Sequence, residues 1–203
     1  MTDGSDRAAK RAVRDRVLQA RDRLGPRQRE ALGRAILARF IELPEVQSAG
    51  TIMTYVTFRS EVDTLGLIRW ALAEGKTVAV PRVRGPRDME AFCLRDPGRD
   101  LACGTWEIPE PCDGLEACDP QAIDLIVVPG TVFAADGGRI GYGGGFYDTY
   151  LHTLRLDVSR VALAFELQVV EELPRETHDL PVDTIVTERR VIRPADRRQS
   201  PAS

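Results

Sequence analysis

The sequence predicts an α/β protein of three layers, in which helices cover both faces of a largely parallel sheet. Short β-branched segments alternate with helical patterns along most of the chain, as they do in strand–helix–strand units. Residues 123–128 form an almost continuous apolar run, typical of a central strand covered on both faces. The chain has 203 residues, 43% of them hydrophobic, and no linker segment. We therefore expect a single domain over residues 1–194 and a disordered tail over 195–203.

The first forty residues predict two helices. Apolar residues recur at spacings of three and four, which indicates a helix over residues 6–24. Gly25 and Pro26 end this helix, because the pair combines a flexible residue with one that cannot continue the hydrogen-bond pattern. A similar pattern predicts a second helix over residues 27–42, which Pro44 is expected to stop.

The next part of the chain predicts short strands and one helix. Residues 62–74 have a helical pattern that ends at Gly75, a common C-terminal cap. β-Branched and aromatic runs predict the strands, and Pro81 is expected to halt the second of them. The predicted strands are residues 51–56, 77–80 and 89–94. Residues 95–122 show no clear period and are expected to be mostly irregular.

Strands and helices alternate again in the remainder. The apolar strand over residues 123–128 is followed by a long glycine-rich loop that runs to Gly145. Helical structure is then expected over residues 146–156 and near 167–173, and strands over residues 160–165 and 184–186.

The charges are unevenly distributed. The net charge is −3, but residues 1–40 carry eleven Lys or Arg against five Asp or Glu, whereas the rest carries 17 against 26. A basic N-terminal segment attracts anions, either a nucleic acid or a nucleoside triphosphate. The acidic remainder argues against a nucleic acid, since nucleic-acid-binding domains are usually basic throughout.

Several other classes are excluded by composition. The sequence has no run approaching the roughly 20 apolar residues of a membrane helix, and its N-terminus has no apolar signal segment. Its four cysteines include no C-x-x-C pair and it has only two histidines, so no structural zinc site is expected. We expect a cytoplasmic, monomeric protein that binds small molecules and contacts neither membranes nor nucleic acid.

The sharpest motif is the glycine-rich loop that precedes the helix expected from residue 146. Its glycines, at 137, 138, 141, 143, 144 and 145, let the backbone turn tightly and approach a ligand closely. Such a loop, after a strand and before a helix, is a possible anion cradle. The loop is not a P-loop, because it has no lysine. It also does not match the dinucleotide-binding motif G-x-G-x-x-G begun at Gly141, because position 146 is phenylalanine. The residues alone leave phosphate binding and a merely flexible turn both open.

Motifs spread over residues 10–188 resemble those of the 5-formyltetrahydrofolate cyclo-ligase family, also called methenyltetrahydrofolate synthetases. They occur in the order expected for that family. They are Lys10 with Arg14, Tyr55 with Glu61-Val62-Asp63-Thr64, Val80-Pro81-Arg82, Ile108-Pro109-Glu110-Pro111, the loop of residues 124–151, and Glu166 and Gln168 with residues 173–188. The resemblance implies a Rossmann-like fold of the NagB/RpiA/CoA-transferase-like type.

The resemblance also implies a reaction. The family converts 5-formyltetrahydrofolate to 5,10-methenyltetrahydrofolate while ATP becomes ADP and phosphate. Transfer of the γ-phosphoryl group to the formyl oxygen creates a good leaving group, and N10 of the folate then attacks the formyl carbon. Such an enzyme must hold two ligands in line and neutralise phosphate charge, with cationic side chains and Mg²⁺.

Site residues follow from the resemblance position by position. Lys10, Arg14, Arg139 and Tyr147 are implied to be catalytic and to contact ATP. The implied ATP site also includes Ile140, Gly141, Tyr142, Gly143, Gly144, Gly145 and Phe146. The implied folate site comprises Val56, Glu61, Trp106, Tyr142, Gly143, Gly144, Gly145 and Phe146. Asp148 and Asp183 are the implied magnesium ligands, and a pair suffices for a metal that phosphate oxygens and waters also hold.

One departure from the family bears on the phosphate contacts. Some members carry a basic residue near position 144, where this chain has Gly144, so backbone amides and cations from elsewhere must compensate. Two alternative functions remain open. The first is another ATP-dependent, kinase-like or ligase enzyme on the same fold. The second is a nucleic-acid or regulatory binding protein that uses the basic N-terminal segment, whose affinity would fall steeply with salt.

Overall fold

The computed structural model describes residues 3–103, 109–173 and 180–194, with side chains described from residue 8 onwards and not at residue 103. Two predictions lie outside these residues. They are the folate contact at Trp106 and the disordered tail over residues 195–203.

Helices and strands alternate along the chain, as the sequence predicts. The helices are α1 (Asp3–Asp22), α2 (Pro26–Ile41), α3 (Pro44–Ser48), α4 (Leu65–Ala73), α5 (Pro97–Asp100) and α6 (Phe146–Leu151). The first strands are β1 (Thr51–Met53), β2 (Thr77–Gly85), β3 (Asp88–Leu94), β4 (Leu101–Cys103), β5 (Pro109–Pro111) and β6 (Leu125–Val127). The later strands are β7 (Val132–Ala134), β8 (Arg139–Ile140), β9 (Ser159–Leu163), β10 (Val169–Val170), β11 (Thr184–Val186) and β12 (Val191–Ile192).

A seven-stranded sheet forms the centre of the molecule, in the order β12-β11-β9-β6-β1-β2-β3. Every neighbouring pair from β11 to β2 is parallel. The two edge strands, β12 and β3, are antiparallel to their neighbours. The largely parallel sheet predicted from the alternating pattern is therefore confirmed. In such sheets ligands bind beyond the carboxyl ends of the strands, and the glycine-rich loop begins beyond that end of β6.

Apolar side chains alternate between the two faces of this sheet. Ile52 and Leu125 face a core formed with α2, α3 and α4, whereas Met53 and Ile126 face a core formed with α6. All four side chains are fully buried. Because apolar side chains alternate between the faces along each strand, both faces of the sheet must be covered by helices. The predicted three-layer arrangement is therefore present.

A smaller sheet, in the order β10-β7-β8, lies within and beside the predicted glycine-rich loop. The β7–β8 hairpin pairs Val132 with Ile140. Val17 of α1 packs against these two residues in a small buried cluster. Helix α1, which carries the basic residues of the N-terminal segment, is thus fixed to the hairpin that leads into the glycines.

The prediction that Pro81 ends its strand is wrong, because β2 continues to Gly85 and pairs Pro81 with Ala91 of β3. The backbone oxygen of Ala79 accepts a hydrogen bond on the β1 side of the strand. Pro81, two residues later, faces the same side, but β1 has already ended at Met53. The missing N–H of proline therefore costs no bond in the sheet.

Other boundaries and short elements also differ from the predictions. Pro44 begins α3 rather than only ending α2, as proline often does in a first helical turn. Residues 95–122, expected to be irregular, include α5, β4 and β5. The helical structure expected near residues 167–173 is a 3₁₀ turn at Glu166–Gln168 followed by β10. The predicted helix over residues 146–156 ends at Leu151.

Candidate active site

A basic cavity of about 720 Å³ lies between α1 and the glycine-rich loop. The end of the loop and the start of α6 together contribute every residue from Ile140 to Thr149. The cationic side chains come from three separate parts of the chain and are Lys10, Arg11, Arg14, Arg87 and Arg139. This concentration of positive charge, beside a loop of exposed backbone N–H groups, suits a polyphosphate.

Lys10 and Arg14 reach the cavity from consecutive turns of α1. Residues four apart lie on one face of a helix, so both side chains point the same way. A Cβ atom placed on Gly143 would lie 3.3 Å from Nη1 of Arg14, which shows that the guanidinium lies directly over the loop. The structure thus brings these two predicted residues to the loop, although more than a hundred positions separate them in the sequence.

Three consecutive glycines shape the loop wall. Gly143 and Gly145 have φ angles of +98° and +71°, a left-handed conformation that side chains with a Cβ rarely adopt. A Cβ on Gly144 would lie 2.8 Å from the Phe146 ring, which would then have to shift. A side chain at position 144 would therefore require the Phe146 ring to move.

Arg139 and Asp148 form an ion pair at the cavity wall. The guanidinium of Arg139 is 5% exposed and donates from Nη2 to Oδ1 of Asp148, whose own side chain is 37% exposed. Nη1 donates to the carbonyl oxygen of Pro129 at 3.4 Å. Asp148 lies in the first turn of α6 and presents a carboxylate to the cavity. An anionic oxygen at this point fits a hard divalent cation, which prefers such ligands.

Asp183 does not line this cavity. It directly precedes β11, at the amino end of that strand, whereas the glycine-rich loop begins beyond the carboxyl end of β6. Its carboxylate accepts hydrogen bonds from the backbone N–H, Nε and Nη2 of Arg160 at 2.8–3.2 Å. The structure therefore does not pair Asp183 with Asp148, and the predicted two-carboxylate metal site needs revision. Among the described residues, no group of three or more potential metal ligands is close enough to hold an ion.

An apolar cavity of about 160 Å³ adjoins the basic one. Its walls are mainly flat or aliphatic and come from the β1–α4 loop, the β2–β3 hairpin, β5, the segment after β6, and α6. They include Tyr55, Val56, Phe58, Glu61, Pro81, Val83, Met89 and Glu110. Pro129, Phe146 and Tyr147 line both cavities, so they form a shared wall. Val56, Glu61 and Phe146, three of the predicted folate contacts, come together here, whereas Tyr142 and the glycines at 143–145 line the basic cavity.

Glu61 places a buried carboxylate in this mainly apolar setting. It is 8% exposed, and Oε2 accepts a hydrogen bond from the backbone N–H of Phe58 at 2.9 Å. Burial raises the pKa of Glu61, although the Phe58 bond and the nearby Arg21 partly oppose that shift. A buried carboxylate of this kind is suited to accept hydrogen bonds from ring N–H and amino groups of a flat ligand.

Tyr147 lines both cavities and has a buried hydroxyl. The hydroxyl is shielded from solvent and has no hydrogen-bond partner among the described residues. Burial raises the pKa of Tyr147 far above its ordinary range, so the hydroxyl stays protonated. Buried hydroxyls usually have a partner, so the Tyr147 hydroxyl, on a residue that lines both cavities, is a candidate contact for a bound ligand.

Arg21 is a site residue that the sequence analysis missed. It is 1% exposed, donates from Nε to Oγ of Ser60 at 3.0 Å, and from Nη2 to the Tyr142 hydroxyl at 2.5 Å. The sequence held one signal, because Arg21 lies seven residues after Arg14, two turns further along the same face of α1. In a helix with many arginines, that spacing did not distinguish it.

Comparison with known proteins agrees with this geometry. A profile described as the 5-formyltetrahydrofolate cyclo-ligase family matches residues 6–188. The chain belongs to this family. The 5-formyltetrahydrofolate cyclo-ligase of Escherichia coli is 30% identical over 178 residues, which cover 86% of this chain and 98% of the relative. The Mus musculus enzyme of that name is 29% identical over 191 residues, covering 89% and 94%.

Solved structures of the family agree as well. The 5,10-methenyltetrahydrofolate synthetase of Aquifex aeolicus superposes with a TM-score of 0.82 and 33% identity, covering 95% of this chain and 96% of the other. The predicted cyclo-ligase family, fold class and enzyme class, a ligase acting on a formylated folate, are thereby confirmed. No helix in the described part of the chain is long and apolar enough to cross a membrane.

Proposed function

We propose that this cyclo-ligase uses ATP and Mg²⁺ to cyclise 5-formyltetrahydrofolate to 5,10-methenyltetrahydrofolate, with release of ADP and phosphate. One observation supports the proposal above the others. A basic cavity and an apolar cavity share a wall of Pro129, Phe146 and Tyr147, so a triphosphate in one and a pterin in the other would meet end to end. Such an arrangement brings the γ-phosphoryl group to the formyl oxygen.

In the basic cavity, Lys10 and Arg14 contact phosphate oxygens from α1, and Arg139 does so beside the loop. The backbone N–H groups of residues 140–146 form the cradle around the phosphates. Asp148 holds Mg²⁺ together with phosphate oxygens and waters, and Arg139 keeps its carboxylate oriented. The metal supplies neutralisation of the charge that develops on the transferred phosphoryl group.

In the apolar cavity, Glu61 accepts hydrogen bonds from the pterin edge while Val56 and Phe146 cover its faces. The buried Tyr147 hydroxyl, at the shared wall, donates to an oxygen of the reacting groups. The dry surroundings keep water from the activated formyl phosphate, so that N10 of the folate is the nucleophile.

The direct test mixes the purified protein with 5-formyltetrahydrofolate, ATP and Mg²⁺ and follows the near-ultraviolet absorbance of the methenyl product. We expect product only when both ATP and metal are present. A folded protein that binds ATP but forms no product from this folate would refute the proposal. The other open function, a different ATP-dependent enzyme on the same fold, would then be tested with other carbonyl or amide substrates.

A further inference from the structure

We propose that Arg87, in the turn between β2 and β3, binds the terminal phosphates of the nucleotide. This inference rests on the proposed use of ATP in the basic cavity. It concerns a residue outside both the N-terminal helix and the glycine-rich loop, so it adds a third chain segment to the phosphate site.

The position of Arg87 follows from the hairpin that carries it. β2 and β3 pair along their length to Val83 and Met89, with an irregularity before Gly85 that bends the end of the hairpin. Beyond this point Arg87 lines the basic cavity opposite the loop. A Cβ atom on Gly145 would lie 3.4 Å from Nε of Arg87, so the side chain extends across to the glycines.

The backbone at Arg87 is unusual for a residue with a long side chain. Its φ angle is +59°, in the left-handed region where glycine and asparagine are common. A tight turn would accept glycine here without strain. Among the described residues, Arg59 and Arg87 are the non-glycine residues with a positive φ, and of the two only Arg87 lines the basic cavity. Residues in such conformations are often found at ligand sites.

Arg87 differs in its ion pairing from the other two arginines of the same hairpin. Arg82 pairs with Asp113 at 3.0 Å, and Arg84 pairs with Glu90 at 2.9 Å. Within the described residues, no carboxylate lies within ion-pair distance of Arg87. A cation that points into a cavity without an internal anion is suited to an anionic ligand.

The three consecutive glycines at 143–145 supply no side-chain charge of their own. Arg87 brings a guanidinium to the neighbouring Gly145 from the facing wall instead. A guanidinium can bind two phosphate oxygens at once, which suits the end of a triphosphate better than a single point charge. The same hairpin lines the apolar cavity through Val83 and Met89, so it contacts both proposed ligands.

The test measures binding of inorganic tripolyphosphate and of ATP to Arg87→Ala, Arg87→Lys and the control Arg84→Ala. Arg84 lies on the same hairpin but does not line the basic cavity. We expect Arg87→Ala to weaken both ligands at least about tenfold, the usual effect of losing a charged hydrogen bond. Arg87→Lys should recover part of the loss, and Arg84→Ala should bind like the unaltered protein. The KM for 5-formyltetrahydrofolate should change much less than the KM for ATP.

Tripolyphosphate and ATP affinities in Arg87→Ala equal to those in Arg84→Ala would overturn this assignment. Failure of the unaltered protein to bind either polyphosphate would instead refute the ATP site on which the assignment rests. If Arg87→Ala and Arg84→Ala both weakened polyphosphate binding to the same degree, the hairpin would act only through its structure. That result would also contradict a direct contact from Arg87.

Discussion

Arg21 donates a hydrogen bond from Nη2 to the hydroxyl of Tyr142 at 2.5 Å, across 121 positions of sequence. Its Nε bonds Ser60, the residue before Glu61, and Ser60 in turn donates to Asp22 of α1. One buried guanidinium therefore connects α1, the glycine-rich loop and the loop that carries the proposed pterin contact. Arg21 is a positioning residue for both cavities.

Replacement of Arg21 by methionine should affect both substrates. The variant keeps much of the buried volume but leaves Ser60 and Tyr142 without their donor, so we expect a loss of about 1–3 kcal/mol in unfolding free energy. The KM values for ATP and for the folate should rise together, because both loops lose a fixed neighbour. Urea unfolding and steady-state kinetics measure the two effects.

Arg23→Met is the matched control for this change, since Arg23 lies on the exposed side of the same turn. It should leave stability and both KM values nearly unaltered. If the two variants behave alike, the network around Arg21 has no role in positioning the site.

The Tyr147 hydroxyl offers a comparison with Tyr150, because both hydroxyls are buried without a partner among the described residues. Only Tyr147 lines the two proposed ligand cavities. We expect Tyr147→Phe to lower kcat/KM at least about tenfold with little loss of stability, since no bond within the free protein is removed. Tyr150→Phe should leave kcat/KM unchanged. Equal kinetics of the two phenylalanine variants would show that the Tyr147 hydroxyl contacts no reacting group.

Asp148 and Asp183 should respond differently to removal of their charge. Asp148→Asn should raise the Mg²⁺ concentration needed for half-maximal activity, because the carboxylate at the cavity is lost. Asp183→Asn should lower the unfolding temperature through loss of its bonds to Arg160, with the Mg²⁺ requirement unaltered. Titration of activity with Mg²⁺ measures this requirement in both variants. If the Mg²⁺ concentration needed for half-maximal activity rose similarly in both, the two-carboxylate metal site would be supported.

Glu61 should make stability depend on pH. Its pKa is raised by burial in the folded protein, so the folded state holds this proton more tightly than the unfolded state does. Stability from this group is therefore complete below the ordinary glutamate value of about 4.5 and decreases as the pH rises through the raised pKa. Glu61→Gln should remove that decrease, so the variant should gain stability relative to the unaltered protein as the pH rises.

The same substitution should weaken binding of the folate, because an amide replaces an anionic acceptor. Urea unfolding at several pH values, with folate binding measured alongside, tests both parts. A constant stability difference between the two proteins across that pH range would contradict the assigned role of burial at Glu61.

The general architecture could be read from the sequence because it depends on periodic burial. The apolar run that contains β6 and the alternation of helices and strands follow from which faces must leave water, and both were predicted correctly. The β7–β8 hairpin was not, because strands of two or three residues carry no measurable period and the surrounding glycines suggested only a loop. The prediction that Pro81 ends its strand failed for a related reason. Pro81 faces the side of β2 that β1 no longer covers, and that position depends on how the two strands pair rather than on the local sequence.

The site was predictable only in part. Lys10, Arg14, Glu61 and the glycines at 141 and 143–145 line the two cavities. They belong to motifs whose residue spacing can be recognised in the sequence. Arg21 and Arg87 belong to no such motif, and only the packing of α1 and the bend of the β2–β3 hairpin place them at the loop. The assignment of Asp183 to the metal stays a prediction, since Asp183 accepts hydrogen bonds from Arg160 and does not line the cavity that Asp148 lines.

Pro129, Phe146 and Tyr147 line both cavities, so the basic and the apolar cavity adjoin along these three residues. A single compound with a pterin at one end and a short polyphosphate at the other could therefore occupy both. Joining the two halves removes most of the entropy that the second would lose on binding, so its affinity should exceed that of either half by orders of magnitude. The adjoining cavities that are proposed to serve phosphoryl transfer thus also make the enzyme a favourable target for bisubstrate inhibitors.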